Sequence, residues 1–586
     1  MMAVEKLIID HIDTWTTALQ TRSTAGRGSS GKIDLYGIKK LRELILELAV
    51  RGKLVPQGPN DEPASELLKR IEQEKAQLVK DGKIKKQKPL PPISDKEKPF
   101  ELPEGWEWVT LATVGEIVGG GTPKSDTPHY WAQNGIKWLT PADLYGLKGK
   151  YISSGARDIS PAGLSNSSAR LMPKGSVLFS SRAPIGYVAI ADAELSTNQG
   201  FKSCVPYIKE SAEYIYYFLL ASAKKIDAEA SGTTFKEVSG AIISKILFPL
   251  PPLSEQLKIV SRANDLMSLC DQLEQHSLTS LDAHQQLVET LLSTLTDSQN
   301  ADELAENWAR ISGHFDTLFT TEASVDALKQ TILQLAVMGK LVPQDPNDEP
   351  AAELLKRIVQ EKAQLVKDGK IKKQKPLPPI SDEEKPFELP DGWEWCRVSK
   401  VAMFTTSGSR DWAKYYSESG ALFVTMGNLS KDSYDLRMDN RRYVNPPENG
   451  EGLRTKLEPF DLIISITGDV GNLGLIPEDL GLAYINQHSC LLRFVPGCRN
   501  YYFPELMRSP LAKLQFNAPQ RGIKNSFRLS DVETMVIPLP PYKEQTLIAE
   551  KIRGLMNICD VLKASIQSAQ QTQLHLADAL TDAAIN

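Results

Sequence analysis

The chain has 586 residues, a net charge of −5, 41% hydrophobic and 24% charged residues, a composition that fits several globular domains. No apolar run nears the ~20 residues a membrane helix needs, and the start, Met1 to Asp10, lacks the basic-then-apolar order of a signal peptide. None of the six cysteines forms a Cys-x-x-Cys pair, which excludes zinc-ribbon and thioredoxin-type sites and leads us to expect reduced cysteines in a cytoplasmic protein.

In chain order, Leu41, Leu44, Ile45, Leu48 and Ala49 form one apolar stripe at helical spacing. Pro63 follows acidic residues suited to a helix start, so a second helix is expected through Leu67, Leu68 and Ile71. The segment Lys-Asp-Gly-Lys-Ile-Lys-Lys-Gln-Lys-Pro-Leu-Pro-Pro at 80–92 is basic and proline-rich and reads as extended linker. Beyond Gly105-Trp106-Glu107-Trp108 the character changes. Residues 174–191 combine β-branched and aromatic residues with bounding Gly and Pro, a pattern of strands and tight turns, and Asn198-Gln199 follow. After Ser254 a long amphipathic helix is expected, with Leu257, Val260, Leu266, Met267, Cys270 and Leu273 continued by Leu287, Val288, Leu291 and Leu295.

The pattern then starts again. Ile332–Trp395 repeats Ile45–Trp108 with seven differences in 64 positions and no gap. Its Pro350 opens a helix through Leu354, Leu355 and Ile358, its linker spans 367–379, and residues 460–476 with Asn486-Gln487 occupy the place of 174–191 with Asn198-Gln199. Ile537-Pro-Leu-Pro-Pro-Tyr-Lys-Glu-Gln repeats Phe248-Pro-Leu-Pro-Pro-Leu-Ser-Glu-Gln, and Ile548, Ile552, Leu555, Met556, Cys559, Leu562 and Ile566 make a second long stripe. Two such helices can pair as an antiparallel coiled coil that fixes the distance between the inserts. We therefore expect an α+β protein: residues 1–108 helical with a basic linker, a mixed α/β insert at 109–246, a helical spacer at 247–395, a second insert at 396–535 and a C-terminal helix at 536–586. The inserts carry about +3 and about +2, leaving about −10 elsewhere. A nearly unchanged frame around dissimilar inserts must present the same surface twice while the inserts meet different targets.

This layout resembles the specificity (S) subunit of type I restriction–modification systems over nearly the whole chain. The carriers are the duplicated frame, the PLPPLSEQ and PLPPYKEQ segments, the GSVLFSSRAPIG and FDLIISITGDVG cores and the paired GWEW segments. The long repeat before each insert resembles the type IB subgroup. The resemblance implies that each insert is a target recognition domain for one half of a split, asymmetric double-stranded DNA site. It implies that two methylation (M) subunits carrying S-adenosylmethionine dock on the frame and modify adenine N6. Two restriction (R) subunits using ATP and Mg2+ would join through them. The chain itself would hold no catalytic group, cofactor or metal. A coiled-coil scaffold that never touches DNA is the alternative, but it leaves two mildly basic, divergent inserts without a purpose.

The residues agree with a non-catalytic chain. Asn445-Pro446-Pro447-Glu448 is similar to the Asn-Pro-Pro-aromatic motif of adenine methyltransferases, but Glu448 stands where the aromatic would stack on the flipped base, and a turn is expected. Gly119-Gly120-Gly121-Thr122-Pro123-Lys124-Ser125 lacks a Gly before Lys, and Pro123 removes an amide that a phosphate loop would use. The histidines show no metal-ligand spacing. Base reading needs Arg or Lys for guanine and Asn or Gln for adenine at groove edges. Candidates in the first insert are Thr122, Lys124 and Ser125, with Tyr130 and Trp131 behind them, then Ser180, Ser181 and Arg182 at a strand end, and Thr233, Thr234, Phe235 and Lys236 in a polar loop. In the second they are Ser407, Ser409, Arg410, Lys414 and Tyr415, then Thr467, which aligns with Arg182, and Arg521, Lys524, Asn525 and Ser526. Asn198 and Asn486 share a place in both inserts and are expected to bond backbone rather than base.

Overall fold

The computed structural model describes residues 3–22, 32–58, 60–86, 90–182, 184–230, 236–447, 452–518 and 527–585. They form two compact units, one of residues up to 279 together with the C-terminal segment from 570, the other of residues 280–569.

In the first unit the helix Tyr36–Val50 buries the predicted stripe of Leu41, Leu44, Ile45, Leu48 and Ala49. In the second, Glu322–Val337 buries the matching Leu328, Ile332, Leu335 and Ala336, and Leu333 besides, while Thr331 stands at the place of Leu44. Pro63 and Pro350 stand at the N-caps of helices Ala64–Lys80 and Ala351–Lys367, in extended backbone, where the missing N–H costs the helix no hydrogen bond. The long helices are Leu253–Asp297 and Tyr542–Ile585. The former starts in the first unit and ends in the second; the latter does the reverse. Their stripes are not covered by each other alone. In the second unit Val288, Leu292 and Leu295 share a hydrophobic core with Ile548, Ile552, Met556 and Cys559, and Leu328 and Ile332 of Glu322–Val337 belong to the same core. Ion pairs fasten that third helix, Lys563 to Asp326 at 2.8 Å and Lys329 to Asp560. In the first unit Arg42 reaches Asp271 at 2.6 Å and Lys40 reaches Asp578 at 2.9 Å.

Each insert contains two sheets with matching strand order. The first insert has Gly115–Gly119, Lys202–Pro206, Val177–Ser181, Ile185–Ala191 and an added edge strand Tyr151–Ile152 in one sheet, and Ser196–Thr197, Ile136–Leu139, Arg157–Ile159 and Trp131–Ala132 in the other. The second has Ala402–Ser407, Ser489–Phe494, Leu462–Ser465 and Leu473–Leu475, then Ala483–Ile485, Ala421–Val424, Tyr443–Val444 and Tyr416–Ser417. The dissimilar inserts are thus two versions of one mixed α/β fold.

The chain enters and leaves each insert through neighbouring strands. Glu107–Thr110 pairs antiparallel with Leu247–Leu250, with Glu107 opposite Leu250, and Glu394–Arg397 pairs with Val536–Leu539, with Glu394 opposite Leu539. The repeated Gly-Trp-Glu-Trp and Pro-Pro-x-x-Glu-Gln segments meet here. Trp106 Nε1 donates to Glu255 and Trp393 Nε1 to Glu544, both at 2.9 Å. Gln256 and Gln545 each donate to a proline carbonyl of the same motif at 3.0 Å. Tyr214 and Tyr502 donate from inside the inserts to Pro249 and Pro538 carbonyls at 3.1 and 2.8 Å. All four side chains from the helix starts, Glu255, Gln256, Glu544 and Gln545, are buried, which explains why these motif residues recur in both copies.

Candidate nucleic-acid interface

In the first insert the glycine run lies against the turn after Thr197. Gly121 N–H donates to the Thr197 carbonyl at 2.8 Å. A Cβ on Gly120 would stand 1.9 Å from the Asn198 carbonyl oxygen, and one on Gly121 2.3 Å from the Ala169 nitrogen, so close backbone approach, and not phosphate binding, requires these glycines. Two tryptophans brace the loop beyond. Trp138 Nε1 donates to the Gly121 carbonyl at 2.9 Å and Trp131 Nε1 to that of Lys124 at 3.3 Å, with the two rings edge-on at 5.2 Å. Arg157 stacks 3.7 Å over Trp131. The braced loop presents Thr122, Lys124 and Ser125 to solvent, and the Thr122 hydroxyl bonds the exposed Gln199 side chain.

The strand Val177–Ser181 corrects part of the sequence expectation. Ser180 and Ser181 are fully buried. Ser180 Oγ donates to the Pro184 carbonyl at 2.8 Å and accepts from Tyr187 N–H at 2.7 Å, and Ser181 Oγ donates to the Gly200 carbonyl at 3.2 Å. Both hydroxyls are spent on backbone and neither faces a groove, because this central strand is covered on both faces. Arg182, the next residue, is half-buried, and its backbone forms an isolated antiparallel β-bridge with that of Glu237. Lys236 is exposed and lies 3.5 Å from Asp227. Thr233, Thr234 and Phe235 fall outside the described residues.

The second insert repeats the arrangement with other side chains. Gly408 N–H donates to the Asn486 carbonyl at 3.1 Å, and a Cβ there would lie 2.1 Å from the Ile485 oxygen. Ser407 and Ser409 are half-buried, and Arg410 and Lys414 exposed. Lys414 Nζ sits 4.9 Å over Tyr415, whose ring meets the buried Trp412 at 6.0 Å. Asn198 and Asn486 make the same turn, accepting from Gly200 N–H at 2.8 Å and His488 N–H at 3.0 Å. The alignment of Thr467 with Arg182 has a backbone basis. Ser181 and Ile466 each donate to the turn, to Gly200 and His488 carbonyls, and each accepts from Val238 or Phe527 N–H. Thr467 Oγ1 meets His488 Nδ1 at 2.8 Å, and Gln487 Nε2 lies 3.0 Å from His488 Nε2. Arg521, Lys524, Asn525 and Ser526 fall outside the described residues.

One rim of each insert therefore gathers a braced glycine loop, an Asn-Gln turn and the end of a central strand. The turn also places Gln199, Gln487 and His488 on these rims, beside the candidates drawn from the sequence, and the Asn-Gln pair at one place in both inserts marks the turn. Asn445, of the methyltransferase-like segment, ties a turn by donating to Ser417 Oγ at 3.1 Å and the Ser419 carbonyl at 3.0 Å; Glu448 lies outside the described residues. No cluster of His, Cys, Asp or Glu able to hold a metal occurs among the described residues, and no described helix is long and apolar enough to cross a membrane.

The sequence model of the type I restriction modification DNA specificity domain matches residues 103–283. Over 100% of both chains, the protein is 49% identical to the type I restriction enzyme EcoAI specificity subunit of Escherichia coli and 47% identical to the EcoEI specificity subunit of the same organism. A crystal structure of the HsdS subunit from Thermoanaerobacter tengcongensis aligns at 18% identity over 84% of this chain and 99% of that one, with a TM-score of 0.38. The chain belongs to the specificity subunits of type I restriction enzymes, and DNA sequence recognition is its task.

Proposed function

We propose that each insert is a recognition domain reading one half of a bipartite, asymmetric double-stranded DNA site. In this reading the frame docks two methylation subunits, and restriction subunits join through them. The chain contributes no catalytic group: S-adenosylmethionine belongs to the methylation subunits, and ATP and Mg2+ to the restriction subunits. The complex works in the cytoplasm. The observation that carries the proposal is the repeated rim on two copies of one fold: Gln199 and Gln487 are common to both, while the side chains around them differ, Thr122, Lys124, Arg182 and Lys236 in one insert and Ser409, Arg410, Thr467 and His488 in the other. Shared geometry gives the two domains one way of approaching DNA, and unlike donors and acceptors give them different bases. Thr233, Thr234, Arg521, Lys524, Asn525 and Ser526 join the rim as candidates on their sequence positions alone, while Ser125, Ser407, Lys414 and Tyr415 border it.

The test is to co-express the chain with its methylation subunit and map methylated adenines by single-molecule sequencing. A split motif is expected. Gln199→Ala should relax or weaken one half and Gln487→Ala the other, each by about 5- to 150-fold, the discrimination carried by one good base contact. Methylation that persists without this chain, or variants in both inserts that alter the same half, would overturn the proposal.

A further inference from the structure

The two inserts are held to the frame by the same strands and the same Trp–Glu bond, but they also touch the long helices through a second contact, and there the copies differ. Aligning Glu255 with Glu544 puts Asn264 and Arg553 at the same position, nine residues further along each helix. In the first unit Asn264 is the acceptor at the centre of a polar network. Its Oδ1 takes Lys150 Nζ at 2.8 Å and the Tyr217 hydroxyl at 2.5 Å, and its Nδ2 lies 3.4 Å from Glu213. Lys150 also pairs with Glu213, which accepts from Tyr151 at 2.5 Å. Burial opposes ionisation of Glu213, yet Lys150 and Tyr151 hold its carboxyl below the ordinary value.

In the second unit the same position is a cation on an aromatic face. Arg553 stacks 4.4 Å over Tyr501, and the insert answers with a buried acid: Glu505 accepts from Arg508 at 2.8 Å and from the Tyr434 hydroxyl at 3.0 Å. Counted from the tyrosines that bond the proline carbonyls, Tyr214 and Tyr502, the positions of Glu213 and Tyr217 in one insert are held in the other by Tyr501, at the N-cap of helix Tyr502–Arg508, and Glu505 within it. An acceptor on the frame thus meets a lysine and a tyrosine hydroxyl, whereas a cation on the frame meets a tyrosine ring beside a carboxylate.

We propose that Asn264 and Arg553 are positioning residues that key each recognition domain to its own seat, so that the order of the two half-sites is written in the frame as well as in the inserts. The common strands admit either domain; the key admits one. A first insert in the second seat would bring Lys150 against Arg553 and leave Lys150 and the Tyr217 hydroxyl without their acceptor. A second insert in the first seat would take the cation from the face of Tyr501. The consequence for half-site order rests on the two-reader proposal, but the seat itself does not, and the experiment separates them.

Residues 111–246 would be placed in both seats of the full chain, and the melting temperature measured with and without R553N. R553N is expected to lower the native chain by about 3 °C and to raise the chimera by a similar amount, the scale of ~1 kcal/mol in a unit of this size. N264R should behave the same way in the chimera carrying 398–535 twice. A cycle within the native chain needs no chimera: N264R should lower the melting temperature, and K150M should restore part of the loss by freeing Glu213 to pair with the introduced guanidinium. Substitutions that shift native and chimeric chains in the same direction, or additive effects of N264R and K150M, would overturn the key. These readouts involve no DNA. Sequencing of methylated adenines on the same variants reports the reader proposal: loss of any split motif in the native chain would sink that proposal and leave the key standing.

Discussion

Replacing Trp106 by Phe tests whether the Trp–Glu bond holds the strands that lead into and out of each insert. The indole Nε1 donates to Glu255 Oε2 at 2.9 Å, while Glu255 is 1% exposed and its Oε1 has no hydrogen-bond partner. The variant leaves a buried carboxyl with neither oxygen satisfied. Trp393→Phe removes the same ring volume and the same 2.9 Å bond, but Gln344 Nε2 still reaches Glu544 Oε1 at 3.2 Å. A hydrogen bond to a charged group contributes ~1.5–3 kcal/mol and a remaining neutral donor about 1 kcal/mol. W106F should therefore cost about 3 kcal/mol and W393F about 2 kcal/mol, or roughly 9 °C and 6 °C in melting temperature. The pH dependence follows from the same geometry. Burial already pushes the Glu255 carboxyl above its ordinary 4.5, with Trp106 opposing it, so loss of the indole raises it further. At pH values above 4.5 and below the raised value the folded form holds a proton that the unfolded form has released, and stability falls as pH rises through that window. The W106F deficit should grow between pH 5 and pH 8, measured by urea unfolding at each pH. Equal losses in the two variants with no pH trend would refute the reasoning and reduce the repeated motif to packing.

Arg493 is 7% exposed and meets Asp461 at 2.6 and 2.7 Å and Glu458 at 2.6 Å. R493M, which strands a buried carboxylate, should cost about 3–5 kcal/mol in urea unfolding, and adding D461N should return part of it. Lys362, held by the Ser399 and Ala402 carbonyls at 2.6 and 2.8 Å, is pushed down to about 8, first by burial and then by Lys400. Its folded form gives up a proton that the unfolded form keeps, so wild type should gain on K362Q as pH rises from about 8 towards 10, seen as a widening gap between urea midpoints. Ser180→Ala removes a hydroxyl that serves Tyr187 N–H and the Pro184 carbonyl; it should cost about 1–3 kcal/mol of stability and leave the methylated motif unchanged.

The parts of the fold legible in the sequence are those whose partners lie nearby or whose pattern repeats. The stripe Leu41 to Ala49 is read from four-residue neighbours, and the helix Tyr36–Val50 buries it. The Trp106–Glu255 bond joins residues 149 apart, and an acid in the first turn of a helix reads as a dipole partner until its indole is seen. Ser180 and Ser181 looked like a polar strand end because alternation usually turns one face to water. Val177–Ser181 is instead the middle strand of its sheet, buried at all five positions, so polarity there marks backbone satisfaction. At the Asn-Gln turn the division is the reverse: Asn198 is spent on backbone, and Gln199 beside it is held out to solvent.

The paired strands explain how one frame can carry two unlike readers. Because Glu107 stands opposite Leu250 and Glu394 opposite Leu539, the ends of each insert are fixed side by side before any residue of the insert is chosen. A sequence between such ends can change without moving the frame, as insertions at adjacent ends generally can. What the insert must keep is small: Tyr214 or Tyr502 to reach a proline carbonyl, a glycine where the loop meets the Asn-Gln turn, and a buried central strand. The rim is free of those duties. Lys124 and Arg410 are exposed on loops whose tryptophans, Trp131 and Trp412, do the anchoring, so the exposed side chains of the rim can differ between inserts while the geometry that holds them stays the same.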